Sequence, residues 1–375
     1  MEFQIISENG ELATYCQQSK GVEFISLDTE FVRTKTWYPQ CGLIQINNGK
    51  QIVLVDPLTV SDWSPLVEIL IDPDVVKVLH SPSEDFEVFY RLLGVYPAPI
   101  FDTQFAACLV GLGNTLGYAK LIQDLLGVEV DKGESRTDWL RRPLSATQLQ
   151  YAAYDVLYLH QVYPILKEKI VAIERFDWVL QEMESLANRK RANLQPQHRY
   201  LLVKNNWQLQ PRCLAVLQDL AAWRYQTAVE QDLAANFVIK ETAMLEIAKR
   251  VPKSLSKLAA LNVLSGKELR IHGERIIEIV LQSSQRDEED LPPKVRRLMD
   301  IKAYKKISQS IRNECLTIAE ELNIAPEVLA SKKQINQFLK YLWFDTEECK
   351  LQGVKPDLCC GWRYELLADV LSEYQ

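Results

Sequence analysis

Apolar positions follow two different periods along the first 175 residues. Phe24, Ile25 and Leu27 form a β-prone apolar run, and runs at 42–46, 51–55 and 75–79, with a shorter one at 100–102, repeat the signature of a buried strand. Asn47-Asn48-Gly49-Lys50 has turn composition, so the first three strands read as a meander. Helical spacing takes over at 63–70, at 84–93 with Gly94 closing the helix, at 104–110, at 116–126 and from Ala146 onward. Strands alternating with helices predict an α/β domain with a mixed sheet over residues 1–175. Beyond Trp207 the pattern is helical throughout: 214–228, 242–249, 267–281, 295–322, 326–330 and 334–343. Two all-α helical domains are expected there, at 211–290 and 291–375. The basic, polar stretch NRKRANLQPQHRY from Asn188 places a linker at 176–210, and Asp287-Glu288-Glu289-Asp290 followed by Pro292-Pro293 marks the second boundary. Val238–Glu241 and Ile324–Glu327, with Gly273-Glu274-Arg275 and Gly361-Trp362-Arg363 further on, are alike enough to suggest duplication, or coincidence.

Charge interrupts this pattern at the end of the first strand. Asp28 and Glu30 point to one side of it and Thr29 to the other. Two adjacent carboxylates repel unless a cation sits between them, and a divalent ion with oxygen ligands meets that need. A strand end with both acids solvated fits equally well. Asp85 falls in the first turn of a predicted helix where Ser81 and Glu84 have capping-box spacing, so it also reads as a helix-dipole partner. His80, at the preceding strand end, reads most simply as a hydrogen-bonded core residue. Ser145 and Gln148 start another helix with capping-box spacing, and four residues separate Tyr151 from Asp155 on one face of it. An acid at 155 among Ala152, Ala153, Val156 and Leu157 sits in a largely apolar setting. The segment from Gly111 to Gly117 lies between helices, lacks both the dinucleotide spacing and a Walker lysine, and reads as a turn, so no nucleotide cofactor is expected.

Composition narrows the class. With 375 residues, 47% of them hydrophobic and 25% charged, the chain can bury several ordinary cores. Eight cysteines without a CxxC pair indicate neither zinc nor a disulfide framework. The opening MEFQIISENG lacks a basic-then-apolar leader pattern and no apolar run approaches membrane-spanning length, so a cytoplasmic protein with no membrane contact is expected. The net charge of -7 is unevenly spread: residues 1–180 hold 14 lysines and arginines against 24 acids, the remainder 29 against 26. An acidic half that meets a polyanion needs metal ions or a basic neighbouring surface.

These positions together give four carboxylates, Asp28, Glu30, Asp85 and Asp155, with Tyr151 one turn from the last. In DTEFVR at 28–33, His80 with EDFEVF at 84–89, SRTDWLRRPL at 135–144 and YAAYD at 151–155, the chain resembles the DEDD superfamily of 3'-to-5' exonucleases, in the tyrosine-bearing branch that includes the ribonuclease D family. WRYQTAVEQDLAANFVIKETAMLEIAKRVP, from Trp223, is similar to the helicase-and-ribonuclease-D C-terminal (HRDC) domain of that family. The resemblance implies a ribonuclease-H-like fold whose acids hold two divalent ions, magnesium or manganese. It further implies Asp28 shared between the ions, Glu30 and Asp155 completing one, Asp85 holding the other, and Tyr151 orienting the attacking water. RNA, with transfer RNA precursors as the family's usual substrate, would then be shortened from its 3' end to nucleoside 5'-monophosphates. Phe31, Trp37 and Tyr38 are candidates for base stacking and Arg33, Arg141, Arg142 and His80 for contact with the nucleic acid, although core packing and solvated arginines account for them as well. Two alternatives stay open: a DNA exonuclease of the same superfamily, and a non-catalytic nucleic-acid-binding adaptor.

Overall fold

The computed structural model describes residues 2–374 apart from 132, 135 and 136. A six-stranded mixed sheet, ordered β1-β4-β3-β2-β5-β6, organises the first half. Its strands are β1 (Gln4–Ile6), β2 (Phe24–Val32), β3 (Gln40–Asn47), β4 (Ile52–Val55), β5 (Val76–Leu79) and β6 (Ile100–Asp102). The central pairs β2/β3 and β3/β4 are antiparallel, as a meander requires, while β1/β4, β2/β5 and β5/β6 are parallel. The three-residue β1 is too short to show a period in the sequence.

Helices α1 (Asn9–Gln18), α2 (Ser64–Leu70) and α3 (Asp85–Leu93) cover one face of the sheet. Ile25, Leu27, Ile44 and Ile46 join Leu12, Leu66, Phe86 and Phe89 in a core on that side. Helices α4 (Thr103–Leu109) and α5 (Tyr118–Leu126) follow, and the long α6 (Ala146–Ala172) packs across the opposite face. There Leu43 and Leu54 meet Trp139, Ala152, Ala153 and Val156. The expected Ser145 capping box opens α6: the Gln148 N–H donates to Ser145 Oγ over 3.1 Å, and the Ser145 N–H donates to the Gln148 side chain over 3.0 Å.

Two expectations need correction and a third gains detail. Ser81 does not cap α3; it adopts φ +57° and donates its N–H to Asp102, and Glu84 stands at the N-cap. Within the stretch expected as a linker, residues 176–191 form the helix α7 (Phe176–Arg191), because Val179, Met183 and Ala187 recur at helical spacing and bury themselves against the preceding region. The helix expected at 295–322 begins only at Tyr304, after the two prolines, a short irregular segment and a single 3-10 turn at Leu298–Asp300.

The helical half comprises α8 (Pro211–Glu230), α9 (Ala235–Val238), α10 (Glu241–Arg250), α11 (Leu255–Ala260) and α12 (Gly266–Ser284), then α13 (Tyr304–Glu321), α14 (Pro326–Leu329), α15 (Lys332–Trp343), α16 (Glu348–Gln352) and α17 (Gly361–Ser372). In both groups a long helix leads to a four-residue helix and then to a medium one. Among the described residues no helix is long and apolar enough to cross a membrane, and all eight cysteines are free.

Candidate active site

The acids lie within β2, not at its end. Pairing with β5 stops after Ser26 and Val78, so from Leu27 onward one edge of β2 is open while β3 still holds the other. The break leaves the C-terminal ends of the parallel strands as a crevice, the usual seat of a ligand in such sheets. Asp28 stands opposite Gln45 and Glu30 opposite Leu43, which places both acids on the α6 face. From α6, buried Asp155 completes a group in which the three carboxylates each offer an oxygen within 4.8 Å of the others.

A β-bulge falls here. Glu30 pairs with Leu43 but Phe31 pairs with Cys41, leaving Gly42 unpaired. A β-carbon on Gly42 would stand 2.5 Å from the carbonyl oxygen of Trp139, so only glycine admits this close approach. Arg142 fixes the arrangement, donating to both carboxylate oxygens of Asp56 over 2.7 Å and to the carbonyls of Gly42 and Trp139. Burial works against the Asp56 carboxylate, but the Arg142 guanidinium outweighs it and lowers the pKa. The expectation that Arg142 contacts nucleic acid is therefore corrected: its donors are committed within the protein.

Asp85 stands across the strand from the triad. Its carboxylate accepts the hydroxyl of Thr29, the residue that β alternation turns to the α3 side. It still acts on its neighbours, since burial raises the Asp28 pKa well above the carboxylate range and Asp85, Asp155 and Glu30 push it further. Burial together with Asp155 and Asp85 lifts Glu30 to about 9. Asp85 is pushed up to about 6 by burial, against the Thr29 hydrogen bond, and Asp155 to about 7 by burial, against the Tyr151 hydroxyl. Four carboxylates this close cannot all ionise without cations among them. Converging oxygens from acids alone suit a hard divalent cation, and the donor set fits one.

Tyr151 is half-buried beside Asp155, and its own pKa is raised by burial and by the acids around it. His80 is largely buried and turned inward: Nδ1 meets the Thr103 hydroxyl at 2.9 Å, and burial lowers its pKa to about 4. Arg33 is tied to the Trp37 carbonyl and to Glu87, and Phe31 is half-buried in β2. Trp37 meets the ring of Tyr225 edge-on, Tyr38 lies under Arg91, and Arg141 is exposed. Ser135 and Arg136, at the start of the SRTDWLRRPL segment, lie outside the described residues.

Sequence reasoning missed two residues that shape the site. The Tyr118 hydroxyl donates to the backbone carbonyl of Asp155 itself, tying α5 to the turn that carries the acid. Gln45 is fully buried directly across from Asp28, with neither amide atom partnered. A polar residue in an apolar strand was the available signal for Gln45; nothing local marks Tyr118.

This fold and this acid cluster define a metal-dependent 3'-to-5' exonuclease, and a 3'-5' exonuclease family model matches residues 3–171. An HRDC domain model matches residues 214–280, and a ribonuclease D C-terminal HRDC model residues 303–371. The ribonuclease D of Escherichia coli K12 is 41% identical over 374 residues, covering 99% of this chain and 98% of that protein. That of Pseudomonas paraeruginosa is 37% identical, covering 99% and 96%. The crystal structure of the Escherichia coli enzyme, described as an exoribonuclease involved in structured RNA processing, superposes with a TM-score of 0.93 at 40% identity, covering 100% of this chain and 98% of the other. The chain belongs to the ribonuclease D family and is a 3'-to-5' exoribonuclease.

Proposed function

We propose that the protein trims structured RNA from its 3' end, with precursor transfer RNA as substrate, in the cytoplasm. Convergence of Asp28, Glu30 and Asp155, with Asp85 at their side, carries the reading. Asp28, Glu30, Asp155 and Asp85 would together hold two divalent ions, magnesium or manganese. When bound, such ions lower the pKa of water and stabilise charge on the leaving oxygen. The protein supplies the rest. Thr29 and Tyr118 fix Asp85 and the Asp155 turn, and Tyr151 presents a neutral hydroxyl that positions the attacking water. Description of the Escherichia coli relative as acting in structured RNA processing supports the substrate.

RNA and DNA of matched sequence, labelled at the 5' end and incubated with magnesium or with chelator, test the reading. Stepwise shortening of RNA that needs the cation is expected, whereas exclusive shortening of DNA overturns it. Tyr151→Phe should slow turnover by roughly 10²-fold while cation affinity holds. A collapse of cation affinity at preserved maximal rate would give Tyr151 a structural role instead.

A further inference from the structure

The basic stretch that the sequence marks only as a connector forms one wall of a cleft. A cavity of about 520 Å³ opens between this stretch, the β2–β3 loop, α3 and α16. Five cations line it, Arg33, Arg91, Arg189, Lys190 and Arg199, against the two carboxylates Glu87 and Glu348. That excess of positive charge sits beside the acidic half of the molecule, where a polyanion most needs it.

Not all five are available. Glu87 pairs with both Arg33 and Lys190, and Asp357 pairs with Arg189. Arg91 and Arg199 make no ion pair among the described residues. Each lies instead on a tyrosine ring, Arg91 4.2 Å from the centroid of Tyr38 and Arg199 3.6 Å from that of Tyr225. A guanidinium stacked in this way is held in orientation by the ring while its N–H edge stays open to a phosphate. Of the Arg199 donors Nη2 is bonded to Asn193 and Nε is buried, which leaves Nη1 for a phosphate.

An aromatic surface lies beside them. Tyr90 is 54% exposed although it stacks in parallel on buried Tyr96, with 4.8 Å between the centroids. Its inner face is used and its outer face is open. Tyr90 shares α3 with Asp85, and Arg33 of the cleft directly follows β2, the strand that carries Asp28 and Glu30.

Cations held free of carboxylates, interleaved with an open aromatic face, are what a single strand needs: phosphates meet the cations and a base stacks on the ring. We propose that this cleft binds the single-stranded RNA upstream of its 3' end, with Arg91 and Arg199 on its phosphates and Tyr90 under a base. The proposal rests on the nuclease reading above. It gives the 188–199 stretch a function in holding substrate.

The test uses the full chain and two labelled RNAs, a dinucleotide and a decanucleotide. Binding is measured in chelator across a salt series, and hydrolysis separately with magnesium. Tyr90→Ala should weaken decanucleotide binding roughly ten-fold. Arg91→Gln and Arg199→Gln should each flatten the dependence of log affinity on log salt by about 0.7. Dinucleotide affinity should move far less, because only the longer strand reaches the cleft. Unchanged decanucleotide affinity and slope overturn the proposal, as does an equal loss on both RNAs. If the unmodified protein binds the decanucleotide but never shortens it, the nuclease reading fails while the binding series still decides the cleft.

Discussion

The two helical regions are built to one plan and attached in opposite ways. The last, from α13 to α17, shares a continuous apolar core with the exonuclease region: Ile311, Phe338, Trp362 and Leu367 lie in one cluster with Val78, Phe101, Leu121 and Tyr163. Trp362 stacks on Trp178 of α7 at 4.7 Å, and buried Arg363 pairs with Glu182 while donating to the carbonyls of Val328 and Leu329. Each such buried large side chain contributes about 1.5–3 kcal/mol. The first region, α8 to α12, encloses a core of its own around Leu217, Met244, Ile247 and Ile276. It touches the β2–β3 loop through polar contacts, with the Tyr38 N–H donating to Asp232 over 2.9 Å and the Ala234 N–H to the Lys35 carbonyl over 2.8 Å. One region is welded to the catalytic unit, whereas the other clasps the loop that continues from the catalytic strand.

The comparison is read against a catalytic benchmark, Asp155→Asn, which carries the largest effect. Losing one of the three converging carboxylates should cost about 10³-fold or more in turnover with the fold intact. Near-normal rates in the folded variant would remove Asp155 from the chemistry.

Arg363→Ala comes next. It leaves Glu182 with only the Trp362 indole N–H and strips the carbonyls of Val328 and Leu329 of their donor, so stability should fall by about 3–5 kcal/mol, read by denaturant unfolding. A loss no larger than that of a surface pair would show that the last region is not welded.

The metal-free protein should show a pH trend rooted in the exonuclease region. Folding raises Glu30 to about 9 and Asp155 to about 7, from an unfolded value of about 4. The folded state therefore binds these protons more tightly. Their stabilisation is complete below about pH 4 and is lost as pH rises through about 7 and then about 9. Melting temperature in chelator should fall across that window, and either added magnesium or Asp155→Asn should reduce the fall. A flat profile in chelator would contradict the crowding of the acids.

Smallest is Asp232→Ala, which opens the clasp at a cost of about 1 kcal/mol. Stability should barely change while KM for long RNA rises several-fold more than KM for a dinucleotide. Equal changes on both substrates would detach the clasp from substrate handling.

Strands β2 to β6 and most of the longer helices were legible from period, while β1 and α1 were not; alternation fixes which side Asp28 and Glu30 take and a four-residue interval fixes Tyr151 over Asp155. Helix α7 was read as a connector because its charged residues mask a narrow apolar stripe of Val179, Met183 and Ala187. The committed donors of Arg142 and the free ones of Arg91 could not be told apart, since which arginine finds a carboxylate depends on chain segments far away.

The sequence by itself determined local presentation: alternation puts Asp28 and Glu30 on one side of a strand, and a four-residue interval puts Tyr151 and Asp155 on one face of a helix. Tertiary structure alone decided how they meet. Opening one edge of β2, seating Gly42 under Trp139, turning Thr29 to Asp85 and anchoring Tyr118 on the Asp155 carbonyl all join residues tens of positions apart. Such contacts follow from packing of the whole chain, which no local pattern encodes.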